Sequence, residues 1–283
     1  MNNNAILLLS CKDKKGLVYK ITKLIYELNG NIIDLDEHVD PIETMFFVRV
    51  AWSFDENSTN KNYIKESFSV LAEEFSASWE MNFEDEKQNV AIFVSKYDHC
   101  LNEILWRNKL NEFNIKISLI ISNHTDLRTL AENYQIPFYH LEVNQNNKNE
   151  IEQIEINLIK GKNIDVIVLA RYMQILSPDF VKEFPNKIIN IHHSFLPAFV
   201  GGNPYKQAYE RGVKIIGATS HFVTNELDEG PIIEQDIIRI SHNDSLKDLI
   251  IKGRDLERLV LARALLLQSQ NRILVYGKKT IVF

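Results

Sequence analysis

The residues best suited to chemistry in this sequence lie in Ile188-Ile189-Asn190-Ile191-His192-His193-Ser194-Phe195-Leu196-Pro197. The segment reads as a strand running into a turn, and side chains on a strand alternate between its two faces. Asn190, His192 and Ser194 are therefore expected on one face, with neighbouring Cα atoms roughly 6.5–7 Å apart. An amide donor and an imidazole at that separation can converge on one small electrophile. His193 is expected to face the other way, as a structural residue. A second polar stretch, His221-Phe222-Val223-Thr224-Asn225-Glu226-Leu227-Asp228-Glu229-Gly230-Pro231, reads as a loop. Its Asp228-Glu229-Gly230-Pro231 end makes a turn by composition alone. A carboxylate there could also swing over His192 and activate a water.

Other chemistries find no support. A serine hydrolase needs a nucleophile elbow, G-x-S-x-G, and the chain has none. No metal is expected: His192 and His193 are adjacent and should point apart, and no further cluster completes a shell. The two cysteines, Cys11 and Cys100, lie far apart without a pairing motif, which disfavours a disulfide framework or a structural zinc. A formal net charge of −6 argues against a nucleic-acid partner, yet leaves room for small anionic ligands. The apolar run Ala5–Leu9 follows three asparagines without a basic region, so it reads as a first strand and not a leader. No stretch approaches about 18 apolar residues, so no membrane span is expected and the cytoplasm is the expected location.

The elements that must position these residues fall into two sets. In the first 85 or so residues the order is βαββαβ: strand Ala5–Cys11, helix Lys15–Leu28, strands Asn31–Val39 and Met45–Trp52, helix Asn62–Phe75, and strand Trp79–Phe83. Two helices over one antiparallel sheet make a ferredoxin-like unit. Glu84–Asn89 (EDEKQN) reads as the linker. Beyond it strands and helices alternate, which predicts a parallel α/β sheet. Its strands are Val90–Val94, Ile115–Ser122, Ile164–Ala170 and Lys187–His192. Ile164–Ala170 is so uniformly apolar that it should be central and covered on both faces. Ser245 with Asp248 looks like a capping box opening a helix to about Gln268. A hairpin, Arg272–Tyr276 and Thr280–Phe283, follows. The domains expected are 1–85 and 86–283.

Together, the two polar segments resemble the formyltransferase-fold enzymes that use formyltetrahydrofolate. That family carries Asn-x-His followed some thirty-odd residues later by an Asp in a loop, as Asn190, His192 and Asp228 do here. A third segment, Leu169-Ala170-Arg171-Tyr172-Met173-Gln174-Ile175-Leu176-Ser177-Pro178, is similar to the stretch that holds the pterin ring in relatives. The resemblance covers the whole second domain and implies a Rossmann-like formyltransferase fold. It implies Asn190, His192 and Asp228 as catalytic, and Tyr172, Met173, Gln174, Ile175, Leu176, Thr219 and His221 as substrate-binding or supporting. Asn190 would donate to the oxyanion, and His192 to the same oxygen or to the leaving nitrogen. Asp228 would accept a proton from water or hold His192 charged. Gly202-Asn203 and Lys206 depart from the family pattern beside the site.

Within that family the chain looks like the hydrolytic members, in which an ACT module precedes the catalytic domain. The segments that carry this are His192–Phe199, Pro204-Tyr205, Gly212–Thr219 and Leu227–Ile233, with Asp13–Val18, Gly30–Asp34 and His38–Asp40 in the first domain. The implied reaction is hydrolysis of 10-formyltetrahydrofolate to tetrahydrofolate and formate, with formate feeding purine synthesis. The folate is the substrate, and no cofactor is implied. ACT modules commonly bind small ligands, often amino acids, between paired copies. The resemblance thus implies a homo-oligomer and an amino-acid effector near Gly16, Leu17, Asn31 and Ile32. The rival is a transferase of the same fold passing the formyl group to an amine. Such enzymes place a Gly-rich loop after the first strand for phosphate, whereas this chain has Ser95-Lys96-Tyr97-Asp98-His99-Cys100.

Overall fold

The computed structural model describes residues 2–57, 59–197 and 204–283. Contacts divide the chain into two units: Met1–Lys87 with Asn271–Leu274 and Ile281–Phe283, and Gln88–Gln270 with Val275–Thr280. The ends of the C-terminal hairpin thus group with the first unit, not with the second.

The first unit runs β1 (Asn2–Lys12), α1 (Leu17–Glu27), β2 (Asn31–Asp40), β3 (Met45–Asp55), α2 (Lys61–Phe75) and β4 (Ser78–Phe83). Its four strands are antiparallel in the order β2-β3-β1-β4. Period-two alternation sends Ala5, Leu7, Leu9 and Cys11 of β1 inward. There they meet Ile21 and Ile25 of α1 and Ile64, Phe68 and Leu71 of α2, each at helical spacing. Trp52 is fully buried with its ring centroid 5.3 Å from that of Phe68. Gly30 permits this, because a Cβ there would stand 2.5 Å from Trp52 Cδ1.

The second unit runs β5 (Gln88–Val94), α3 (His99–Lys109), β6 (Ile115–Ser122), α4 (Arg128–Asn133), β7 (Phe138–His140), α5 (Lys148–Gly161) and β8 (Val166–Leu169). It continues with α6 (Pro178–Glu183), β9 (Ile188–His192), α7 (Pro204–Arg211), β10 (Ile215–Phe222), β11 (Ile232–Arg239) and α8 (Leu246–Ser269). The hairpin β12 (Ile273–Tyr276) and β13 (Lys279–Val282) follows. The sheet has seven strands in the order β11-β10-β9-β8-β5-β6-β7. β8 is its central strand, and Val166 to Leu169 are all buried, as a run apolar on both faces requires.

Besides the grouping of the hairpin ends, which departs from the expected 86–283 domain, two further features depart from the sequence expectation. The sheet is mixed, because β10 runs antiparallel to β9 and β11 antiparallel to β10. The alternation of strands and helices stops after α7, and β10 connects to β11 without a helix, which removes the crossover that a parallel pair needs. The supposed linker is also shorter, since β5 already begins at Gln88. The capping box stands as expected: Asp248 N donates to Ser245 Oγ and Ser245 N donates to Asp248 Oδ2.

From β5 the chain goes to β6 on one side and later returns to β8 on the other. That reversal opens a crevice beyond the carboxyl ends of β5, β8 and β9, the usual ligand position in such sheets. Ser95, Arg171 and His193 each follow one of these ends.

Candidate active site

A cleft of about 360 Å³ lies there, lined among others by Leu176, Asn190, His192, His193, His221 and Asp228. The antiparallel pairing of β9 with β10 aligns its polar wall. His221 stands opposite Asn190 and Thr219 opposite His192, so all four side chains emerge on the same face of the sheet. His221 Nδ1 is 2.9 Å from Phe222 O. A carbonyl only accepts, so Nδ1 carries the proton. Burial, the largest influence, lowers the His221 pKa despite Asp228 nearby, so the ring is neutral and its Nε2 is an acceptor. Asn190 must then present its amide nitrogen, which donates to His221 Nε2 at 3.3 Å. The second amide hydrogen of Asn190 remains for a ligand.

Asp228 closes the other side. Its φ of 58° is left-handed, which suits an Asp in a tight turn. Its Oδ2 lies 3.3 Å from His192 Nδ1 and its Oδ1 3.7 Å from His221 Nε2, with only 8% of the side chain exposed. Burial alone would raise its pKa. The hydrogen bond from His192 and the surrounding imidazoles of His192, His221 and His193 outweigh burial and hold the carboxyl below its ordinary value. His192 is itself buried, and its Nε2 has no partner among the described residues. An orphaned buried ring nitrogen in a cleft wall is an acceptor waiting for a ligand proton. The loop carrying Asp228 is pinned to β10: Phe222 N donates to Pro231 O at 2.9 Å. Gly230 lies so close that a Cβ would stand 1.7 Å from Phe222 O.

The other residues singled out from the sequence divide. Met173, Gln174, Ile175 and Leu176 line the cleft, with Met173 and Ile175 more than half exposed. Tyr172 also lines it, but its ring packs edge-on against Phe93 and its hydroxyl donates to Glu155 Oε1 at 3.1 Å. It anchors the segment from below. Thr219 lies outside the cleft lining. Its hydroxyl donates to Ser194 O and accepts from Leu196 N, which holds the turn after β9. Ser194 follows the strand end and borders a separate apolar cavity, so the shared face stops at His192. His193 does not simply face away. It lines the cleft, and its ring centroid is 5.3 Å from that of His192. Burial, with Arg171 nearby, pushes its pKa down to about 4, so it is neutral near pH 7. Gly202-Asn203, with Ala198 and Phe199, lies outside the described residues. Lys206 is on α7, exposed, 3.7 Å from Glu210.

Several residues escaped the sequence reading. Ser95 Oγ donates to Asn123 Oδ1 and accepts from Met173 N, tying the cleft segment to the end of β5. Glu257, on α8, is fully buried and takes contacts from His99 Nε2 at 2.8 Å, Arg171 Nε at 3.3 Å and Tyr205 Oη. Arg171 sits at φ 63°, two residues after the end of β8. The signal for Glu257 was present: Leu249, Gly253, Glu257 and Val260 share one helix face, and the others on it are apolar or small. His99, Cys100 and Glu257 hold ligand atoms within 4.8 Å of one another. The carboxylate already has hydrogen bonds with His99 and Tyr205 and an ion pair with Arg171, and burial pushes the Cys100 thiol well up, which fits an ion-pair core better than a metal.

The fold and cleft define a formyltransferase-class enzyme, and a formyl transferase family model matches residues 88–265. A formyltetrahydrofolate deformylase from Synechocystis is 52% identical, over 100% of this chain and 99% of the relative. One from Bacillus subtilis is 48% identical over 98% and 93%. The crystal structure of a formyltetrahydrofolate deformylase from Pseudomonas syringae superposes with a TM-score of 0.96 at 42% identity, covering 100% and 95%. The chain belongs to the formyltetrahydrofolate deformylases.

Two tests follow from this geometry. Gly230→Ala should push the Asp228 loop off β10, cutting formate release at least about tenfold while the folded state persists in circular dichroism. Unchanged turnover would show that the loop position is immaterial. Burial raises the Glu155 pKa to about 7 from 4.5. Its contribution to stability is therefore full below about pH 4.5 and is lost as pH rises through about 7. Glu155→Gln, always neutral, should gain on the wild type between pH 5 and pH 8 by up to about 3 kcal/mol in urea unfolding. Parallel pH curves for the two proteins would overturn the assignment.

Proposed function

We propose that this enzyme hydrolyses 10-formyltetrahydrofolate to tetrahydrofolate and formate with Asn190, His192 and Asp228 as its catalytic residues. The observation that carries the assignment is the unpartnered His192 Nε2 in the wall of the cleft, with Nδ1 held by a carboxylate whose side chain is buried. With Nδ1–H on Asp228, neutral His192 can take a proton from water at Nε2 as the water oxygen bonds to the formyl carbon. Asp228 stabilises the imidazolium that results, and the free Asn190 amide hydrogen donates to the oxyanion. The imidazolium then returns its proton to the folate nitrogen as the C–N bond breaks. A carboxylate held below its ordinary pKa is a poor base for water and a good counter-charge, which favours the second of Asp228's two roles. The pterin would lie along Met173–Leu176, and the formate would supply purine synthesis.

Water as acceptor, over an amine, is supported by the loop after β5. Asp98 stands before α3 with its carboxylate accepting from Asn102 at 2.9 Å. A phosphorylated amine would meet a negative charge at that helix start.

The first unit reads as an ACT-like regulatory module. In support, β2 is an edge strand of ten residues that exposes Ile33 and Val39. An exposed edge of that length is a template for pairing with a second copy. Gly16 at the start of α1 leaves open space around its Cα, and Asn31 and Ile32 open β2 on the exposed side. A carboxylate of an amino acid suits such a helix start. No described helix is long and apolar enough to cross a membrane, and a cytoplasmic location suits the substrate.

Asp228→Asn keeps the left-handed turn, since Asn tolerates it, and removes the charge. Turnover should fall by about 10²–10⁴ with folate binding weakened far less. His192→Ala should be as severe, and the double variant little worse than the worse single. The assay is formate release with no amine present. An Asp228→Asn enzyme keeping most of its turnover would remove Asp228 from the mechanism. For the first unit, Ile33→Asp should reduce the mass seen by light scattering, and a wild type that is already monomeric would end the pairing proposal.

A further inference from the structure

A second cavity, of about 290 Å³, adjoins the folate cleft and shares Arg171 and His193 with it. Its other walls include Tyr97, Tyr205 and Arg254, with Glu257 beneath. No step of the hydrolysis uses this space. Its charges are unequal. Glu257 is ion-paired from within by Arg171 and is hydrogen-bonded by His99 and Tyr205. Tyr205 reaches it only because residue 253 is glycine: a Cβ there would stand 2.1 Å from the tyrosine hydroxyl. His193 is neutral near pH 7. Arg254, by contrast, has no acidic partner among the described residues. Its guanidinium lies 5.3 Å from the centroid of Tyr97, and that of Arg171 lies 5.4 Å from the same ring. The cavity is therefore a polar space whose one carboxylate is answered and whose second guanidinium is not.

We propose that this cavity is the product subsite of the enzyme, a small-carboxylate site in which Arg254 receives formate. The inference rests on the proposed placement of the reacting carbon beside His192. Formate forms there as a neutral amide is converted to an anion, and the adjoining space past His193 holds the Arg254 guanidinium, which has no acidic partner among the described residues. A guanidinium offers a carboxylate two parallel donors, and the Tyr97 ring holds that of Arg254 in place. The same charge repels protonated amines, so the chamber admits water and releases an anion while disfavouring an ammonium acceptor. Arg254 is thus assigned to product binding and to acceptor choice, not to the bond-breaking step.

The test is steady-state kinetics of the full-length enzyme with added sodium formate, against sodium chloride at matched ionic strength, because an exposed cation is screened by salt. Formate should inhibit the wild type beyond the chloride control. Arg254→Gln should raise the formate inhibition constant about tenfold or more, the loss expected for a charge-assisted bond. KM for 10-formyltetrahydrofolate should stay within about twofold, because Arg254 does not line the folate cleft. Arg254→Lys should fall between the two. Inorganic phosphate serves as the second arm: inhibition by phosphate with none by formate overturns the carboxylate assignment. No formate inhibition of the wild type, or equal inhibition of wild type and Arg254→Gln, overturns the proposal outright. The catalytic reading fails separately, by a His192→Ala enzyme that retains turnover. Formate binding to that variant, followed by line broadening of ¹³C-formate, remains readable either way.

Discussion

The site depends on one pairing, the antiparallel register of β9 against β10. It sets His221 opposite Asn190 and Thr219 opposite His192. From that register, one tautomer follows another. The Phe222 carbonyl fixes the proton of His221 on Nδ1, the free His221 Nε2 fixes the amide of Asn190, and the Asn190 donor then faces the cleft. A slip of one residue would send the two side chains of the shifted strand to the opposite face of the sheet and part them from the other two. The departure from a parallel sheet is therefore what makes the site. A parallel neighbour would slant the hydrogen bonds and remove the direct opposition of residues.

Three buried carboxylates surround this register, and each meets the cost of burial differently. Asp228 is kept charged by His192 and its neighbouring histidines. Glu257 is kept charged by a ring of donors despite almost complete burial. Glu155 has the Tyr172 hydroxyl and a like-charged neighbour in Glu152, and its pKa rises to about 7. The difference lies in the partners: cations and imidazoles restore the charge, whereas a neutral hydroxyl beside another acid does not. Only the first of the three touches the cleft that Asn190 and His192 line. The second organises the Arg171 turn and the adjoining cavity, and the third secures the Tyr172 anchor beneath the cleft segment.

Much of this was legible in the amino-acid order. Apolar runs and helical spacing located the strands and helices of the first unit and the central β8, because burial on one or both faces must leave a period in the sequence. The Asn190–His192 spacing and the capping box at Ser245 are local patterns, readable within a few residues. β10 and β11 were not read as antiparallel partners, since strand direction is set by which neighbour a segment finds, not by its own composition. Arg171 was visible only as part of a quoted segment, and Glu257 looked like one more polar residue on a long helix.

The sequence by itself determined the two-unit plan, the order of elements and the choice of candidate catalytic side chains, because these depend on local periodicity and on residue type. Tertiary structure decided what those side chains can do. Asp228 has the composition of a turn residue and becomes a buried counter-charge only when its loop is pinned against Phe222. His193 was expected to be structural and instead stands between two cavities. Both outcomes rest on contacts between segments distant along the chain, where the loss of water turns an ordinary polar side chain into one with a fixed charge, tautomer and direction.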